Sequence, residues 1–181
     1  VLAPNTYSFD MKTSKKNLLD IMKKQQENIV EIAWNNRERD LPLKTSFELV
    51  ILASIVEREA LFNSEKPLIA SVFINRLKRK MRLQSDPTVI YAITQGKTNL
   101  KRKLTRKDLK KSSEFNTYKV FGLPPTPICN PGKESIMSVS QPAKTDYLYF
   151  VADGKGGHKF SQNLDQHIKY VAQYRKLIKN K

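Results

Sequence analysis

Glu48-Leu49-Val50-Ile51-Leu52-Ala53-Ser54-Ile55-Val56-Glu57-Arg58-Glu59 is an almost wholly apolar run that ends in a carboxylate. Thr45 and Glu48 stand in front of it with the spacing of a capping box, so the run predicts a buried helix. Glu57 is the anomaly on that helix. At about 100° per residue it falls in line with Val50 and Ala53, whereas Glu59 falls in line with Glu48 and Leu52. Glu59 can therefore share a polar edge, while Glu57 points where apolar or small residues point. A carboxyl held against such neighbours has its pKa raised by desolvation, which is how an enzyme keeps an acid protonated near neutral pH. The competing expectation is a helix-end glutamate that bends out to solvent or pairs with an arginine.

A buried helix needs other elements around it, and the flanking sequence supplies them. Leu18, Ile21, Met22, Ile29, Ile32 and Ala33 recur at helical spacing between Ser14 and Asn36, predicting a long amphipathic helix. Ser64-Glu65-Lys66-Pro67 opens another, with Leu68, Ile69, Val72, Phe73 and Leu77 on its buried face and an end near Arg79 or Lys80. Asn75 and Arg76 on its later turns are either surface residues or reach across to Glu57. Asp86-Pro87 predicts an N-cap with proline at the first helical position, and Gly96 ends that short helix. Thr105 to Asp108 has capping-box spacing for one more. From Glu114 to Gly132 the prolines and glycines exclude helix and central strand, leaving a long ordered loop of the kind that walls binding sites. After a short helix over Ser135 to Ser140, Tyr147 to Ala152 and His158 to Ser161 predict a hairpin around a glycine-rich turn. Asn163 caps a last helix through Leu164, Ile168, Val171, Tyr174, Leu177 and Ile178. The expected fold is α+β: a mainly helical domain around a buried central helix, with a small antiparallel hairpin and a long Pro-rich loop.

A chain of 181 residues suits one such domain, here 14–181, preceded by an N-terminal arm over 1–13. The start at Val1, with no initiator Met, predicts a piece of something longer. No run approaches the apolar length of a membrane span. The lone Cys129 excludes an internal disulfide and a multi-cysteine zinc site, and two histidines, His158 and His167, are too few for a His-rich one. No metal or cofactor is expected. The formal charge of +16 points to a polyanionic surrounding: nucleic acid, anionic lipid heads or anionic wall polymer. Lys and Arg are spread along the chain and form no nucleic-acid motif, so nucleic acid is not the expected partner.

One desolvated glutamate, no metal ligands, no nucleophile triad and loops rich in amides and hydroxyls suggest acid/base work on a sugar. Ordinary glycosidases use two carboxylates about 5 to 9.5 Å apart. Asp86, Glu59 and Asp153 are candidates for the second, none with an apolar setting like that expected for Glu57. One carboxyl suffices when the substrate's own N-acetyl group stabilises the transition state, which favours N-acetylated glycans.

Leu52 to Glu59, Val72 to Leu77, Met81 to Tyr91, Asn116-Thr117-Tyr118, Gly122-Leu123-Pro124-Pro125 with Asn130-Pro131-Gly132, and Tyr147 to Phe160 resemble, in order, the motifs of the YceG-like family. Asn5 and Ala92 are the minor departures. The resemblance implies an endolytic murein transglycosylase that limits glycan strand elongation, with Glu57 as its catalytic glutamate. Glu57 would protonate the oxygen between N-acetylmuramic acid and N-acetylglucosamine, then take the proton of the muramic C6 hydroxyl as a 1,6-anhydro ring closes. Asn75, Gln84, Ser85, Asp86, Asn116, Thr117 and Tyr118 match motif positions and would bind glycan or support the site. The resemblance further implies a LysM-like subdomain before the arm, a single-pass anchor at the outer face of the cytoplasmic membrane, and peptidoglycan synthases as partners. A basic nucleic-acid- or wall-binding module, or a scaffold with a structural Glu57, is the alternative reading.

Overall fold

The computed structural model describes residues 1–179, so Asn180 and Lys181, the end of the basic tail, lie outside the described residues. Among the described residues there are six α-helices and one two-stranded antiparallel sheet: α1 (Lys15–Asn35), α2 (Ser46–Glu59), α3 (Lys66–Lys78), α4 (Asp86–Thr94), α5 (Lys133–Ser140), β1 (Tyr149–Ala152), β2 (His158–Ser161) and α6 (Leu164–Lys179). Thr45 caps α2, its Oγ1 accepting from the Glu48 N–H at 3.2 Å, while the Glu48 carboxylate reaches back to the Lys44 N–H. Every residue from Leu49 to Val56 is buried. The apolar run thus forms the centre of the core, with α1, α3 and α5 packed around it. Phe73 and Ile69 from α3, Ile136 and Val139 from α5, and Leu83 complete that core. Truncating any of the fully buried Leu or Ile side chains to Ala costs about 2–5 kcal/mol.

Three of the departures from the sequence expectation have a clear local reason. α4 starts at Asp86 itself, so the N-cap position falls to Ser85, whose hydroxyl makes no capping bond. The Thr105/Asp108 box does form, with Thr105 N–H on Asp108 Oδ2 at 2.8 Å and Asp108 N–H on Thr105 Oγ1 at 3.3 Å, but only a 3-10 turn, Asp108–Lys110, follows. The Asn116 amide takes the carbonyls of Leu109 and Lys111, at 3.1 and 2.7 Å, which a continuing helix would need. β1 begins at Tyr149 and not at Tyr147, because Asn75 Nδ2 donates to Tyr147 O at 3.0 Å and Arg76 Nε to Leu148 O at 2.7 Å.

The hairpin pairs Tyr149 with Ser161 and Ala152 with His158. It leans on α3 through the edge-on rings of Phe150 and Phe73, 5.8 Å apart, and α6 lies against it. None of the described residues of α6 is buried, so its apolar stripe is only partly covered. The arm is tied down by Ala3 N–H on Met22 O at 3.1 Å and Leu2 N–H on Asn130 Oδ1 at 3.0 Å.

Candidate active site

The two carboxylates at the end of α2 lie two residues apart and meet different surroundings. Glu57 Oε2 accepts from Lys66 Nζ at 3.2 Å, from the Gly132 N–H at 3.0 Å, and from the Ser135 hydroxyl. Burial pushes this carboxyl up, but the Ser135 and Gly132 donors and the Lys66 ammonium outweigh it, so its pKa lies below the ordinary glutamate value. That corrects the expectation of a raised pKa at Glu57. The apolar helix neighbours are there, but α5 and the loop before it bring two donors and α3 a third, none of which a helical projection of α2 contains. Lys66 is 7% exposed at its side chain and Glu57 30%, making them a half-buried ion pair between α2 and α3. Cys129, beside this cluster, is pushed up to about 11 by burial and by the Glu57 charge, and its thiol donates to Ser54 O at 3.3 Å. It is a packed thiol with no nucleophilic character at neutral pH.

Glu59 is the desolvated carboxyl. Its pKa is pushed up to about 7: burial raises it, the Ser85 hydroxyl lowers it, the Asp86 charge raises it and Arg76 lowers it. Ser85 Oγ, freed from capping α4, donates to Glu59 Oε1 at 2.6 Å. Glu59 lines a cleft of ≈ 480 Å³ together with Arg76, Gln84, Asp86, Tyr118 and His158. Two backbone devices shape this cleft. Gln84 adopts φ 51°, a left-handed conformation costing a non-glycine residue about 1–2 kcal/mol. Thr117 holds the turn in place, its carbonyl accepting from Gln84 N–H at 3.1 Å and its hydroxyl from Ser85 N–H at 3.0 Å, with Thr88 Oγ1 2.8 Å away.

Of the residues expected at the site, Gln84, Asp86 and Tyr118 line the cleft and Ser85 touches Glu59. The Tyr118 hydroxyl donates to Asp86 Oδ1 at 2.7 Å, and burial followed by this bond raises its pKa. Asn116 and Thr117 are fully buried supports behind it. Asn75 is on another surface, a groove of ≈ 640 Å³ with Asp40, Lys78 and Thr145, where it binds the carbonyls of Thr145 and Tyr147. Two of the carboxylates there, Asp40 and Glu38, are paired with Lys78 and Lys144. Arg76 turns to the cleft and not to Glu57, giving Nε to Leu148 O and Nη1 to Leu83 O, and burial lowers its pKa. Sequence reasoning missed Tyr149, His158 and His167 in the cleft walls. The glycine-rich turn before His158 was the available signal. Among the described residues no group of three or more His, Cys, Asp or Glu could hold a metal ion.

The arrangement is that of a helical domain in which a carboxyl with its pKa pushed up to about 7 sits in a cleft walled by amide, phenol and imidazole groups. The chain belongs to the YceG-like family, whose sequence profile matches residues 1–173. It is 41% identical over 175 residues to an endolytic murein transglycosylase of Bacillus subtilis, and 34% identical over 178 residues to one of Streptococcus pneumoniae, in each case over 96% of this chain. It spans 47% and 31% of those two relatives, less than half of either. The crystal structure of a YceG-like protein from Listeria monocytogenes is similar with a TM-score of 0.79 at 39% identity, over 93% of this chain and 53% of that one.

Proposed function

We propose that this chain is the transglycosylase domain of an endolytic murein transglycosylase, cleaving the bond between N-acetylmuramic acid and N-acetylglucosamine inside peptidoglycan strands. The observation that carries the reading is Glu59, an enclosed carboxyl with a pKa of about 7 on the cleft wall. A group that gives and then takes a proton works best with its pKa near the operating pH. Glu57 fails that requirement, being held ionised by three donors. The catalytic role therefore moves two residues along the helix. Protonated Glu59 donates to the bridging oxygen as the C1–O bond breaks, and the substrate acetamido group stabilises the developing cation. The Glu59 carboxylate then takes the proton of the muramic C6 hydroxyl while O6 closes on C1. The proton returns to Glu59, no water is consumed, and the product ends in a 1,6-anhydro ring. Asp86, itself engaged by Tyr118, keeps the proton on Glu59 by its negative charge, and Ser85 orients the carboxyl.

The sequence similarity to named transglycosylases supports the substrate class, and the net charge of +16 suits a wall polymer bearing carboxylates. In the full-length protein the domain works at the outer face of the cytoplasmic membrane, beside the synthases that make the strands. Among the described residues no helix is long and apolar enough to cross a membrane. Digestion of purified glycan strands by the wild type, Glu59→Gln and Glu57→Gln, with products weighed by mass spectrometry, tests the assignment. Anhydro-ended fragments should appear with the wild type, vanish with Glu59→Gln and persist with Glu57→Gln at a pH where that variant is folded. Hydrated reducing ends, or full activity of Glu59→Gln, would overturn it.

A further inference from the structure

The wall of the cleft that carries β2 holds a carboxylate–imidazole pair that the reaction above does not use. His158 Nδ1 lies 2.8 Å from Glu65 Oε2, and the His158 backbone N–H donates to Glu65 Oε1 at 2.9 Å. Both oxygens of one carboxylate thus serve one residue. The ring is further held edge-on to Phe150, 5.2 Å between centroids at 87°, and the two side chains are only 13% and 18% exposed. The turn in front of it is cut to admit the carboxylate: a Cβ on Gly157 would lie 2.8 Å from Glu65 Oε1 and 3.2 Å from Asp153 Oδ2. Among the described residues no group bonds His158 Nε2, and His158 lines the cleft shared with Glu59.

A carboxylate only accepts, so Glu65 fixes the proton of a neutral His158 on Nδ1 and leaves a lone pair on Nε2. A ring with fixed tautomer and fixed plane is a preorganised acceptor. We propose that His158 contacts the glycan, its Nε2 accepting a hydrogen bond from a sugar hydroxyl, and that Glu65 is the residue that positions it. The inference rests on the glycan-cleaving reading of the same cleft. It adds a recognition group on the wall formed by the hairpin and the turn before α3, contributed by Glu65 from the 3-10 turn Asn63–Glu65 and by β2.

Glu65→Gln tests it with little change of shape. The amide keeps its oxygen for the His158 N–H but presents NH₂ to Nδ1, which forces the proton onto Nε2 and turns the acceptor into a donor. Imidazole ¹H–¹⁵N spectra should show the proton on Nδ1 in the wild type and on Nε2 in Glu65→Gln. The kcat/KM for glycan strands should fall about 10-fold or more, chiefly through KM, with thermal stability little altered. In parallel, the Glu59→Gln protein titrated with denuded alternating N-acetylglucosamine–N-acetylmuramic acid strands should show the His158 Nε2 resonance moving to saturation. A Glu65→Gln enzyme with the switched tautomer and wild-type kcat and KM would overturn the proposal, as would a His158 resonance unmoved at saturating glycan. Should the wild type give no anhydro-ended product, the transglycosylase reading fails by itself. The titration then still decides whether His158 meets glycan.

Discussion

Replacing Glu59 by Gln should change how stability depends on pH. An ordinary glutamate titrates near 4.5, whereas folded Glu59 titrates at about 7. The folded state therefore holds this proton more tightly than the unfolded chain. The stabilisation is complete below about pH 4.5 and is lost as the pH rises through about 7. At about 1.4 kcal/mol per pH unit, the separation of the two values corresponds to roughly 3.5 kcal/mol in full, of which about 2–3 kcal/mol is lost between pH 5 and pH 8. The Glu59→Gln protein has no proton to lose there. Urea unfolding at intervals between about pH 5 and pH 8 should show the wild type falling by about 2–3 kcal/mol relative to the variant, with equal m-values. Glu57 has the opposite sign. Its lowered pKa gives stability that is present above about pH 4.5 and lost on acidification, so Glu57→Gln should flatten only the acid side. Parallel curves for wild type and Glu59→Gln from pH 5 to 8 would refute the view of Glu59 as an enclosed, proton-retaining acid.

Ser85→Ala removes a donor to the Glu59 carboxylate and should raise its pKa, moving the alkaline limb of the kcat/KM profile up by roughly 1 pH unit, while Asp86→Asn removes a negative charge and should move it down. Glu57→Ala leaves the Lys66 ammonium enclosed without its counter-charge and strips Gly132 and Ser135 of their acceptor; denaturant titration should show a loss of about 3–5 kcal/mol, reduced when Lys66→Met is added. Thr117→Val takes the partner from Ser85 N–H and Thr88 Oγ1 and should cost about 1–3 kcal/mol, read by thermal melting, with a rise in KM as the Gln84 turn loosens.

Most of the helices were legible because their signals are local. Thr45 and Glu48 cap α2 as their spacing implies, Ser14 accepts from Asn17 N–H at 3.1 Å at the start of α1, and the hairpin falls on the β-branched and aromatic run with glycines at its turn. The surroundings that separate Glu57 from Glu59 are not local. The wheel of α2 says which residues share a face but not what covers that face from elsewhere. Gly132 and Ser135 come to Glu57 from 75 and 78 residues away, and Ser85 comes to Glu59 from 26 away. The polar cluster Gln84-Ser85-Asp86 stood out because a loop feeding a helix N-terminus offers donors to a ligand, and in the fold Gln84 and Asp86 line the cleft while Ser85 touches Glu59. Asn75, expected to bind glycan or support the site, lies outside the cleft, and its amide holds the backbone leading into β1, a duty that sequence pattern does not separate from ligand contact.

Arg76 has a mechanical consequence. Its guanidinium grips Leu148 O on one side and Arg82 O and Leu83 O on the other, at 2.7, 3.2 and 2.8 Å, while lying 5.1 Å from the Tyr149 ring. The strand wall and the Gln84 wall are thereby riveted to one helix. They cannot part like jaws without exposing an enclosed cation and breaking charge-assisted bonds worth about 1.5–3 kcal/mol each. Amides on both walls should exchange with solvent as one cooperative unit. On the proposed glycan-cleaving reading, a strand of polymer would thread along a trough of fixed width, with the cleavage point set by how the chain slides and not by a closing lid.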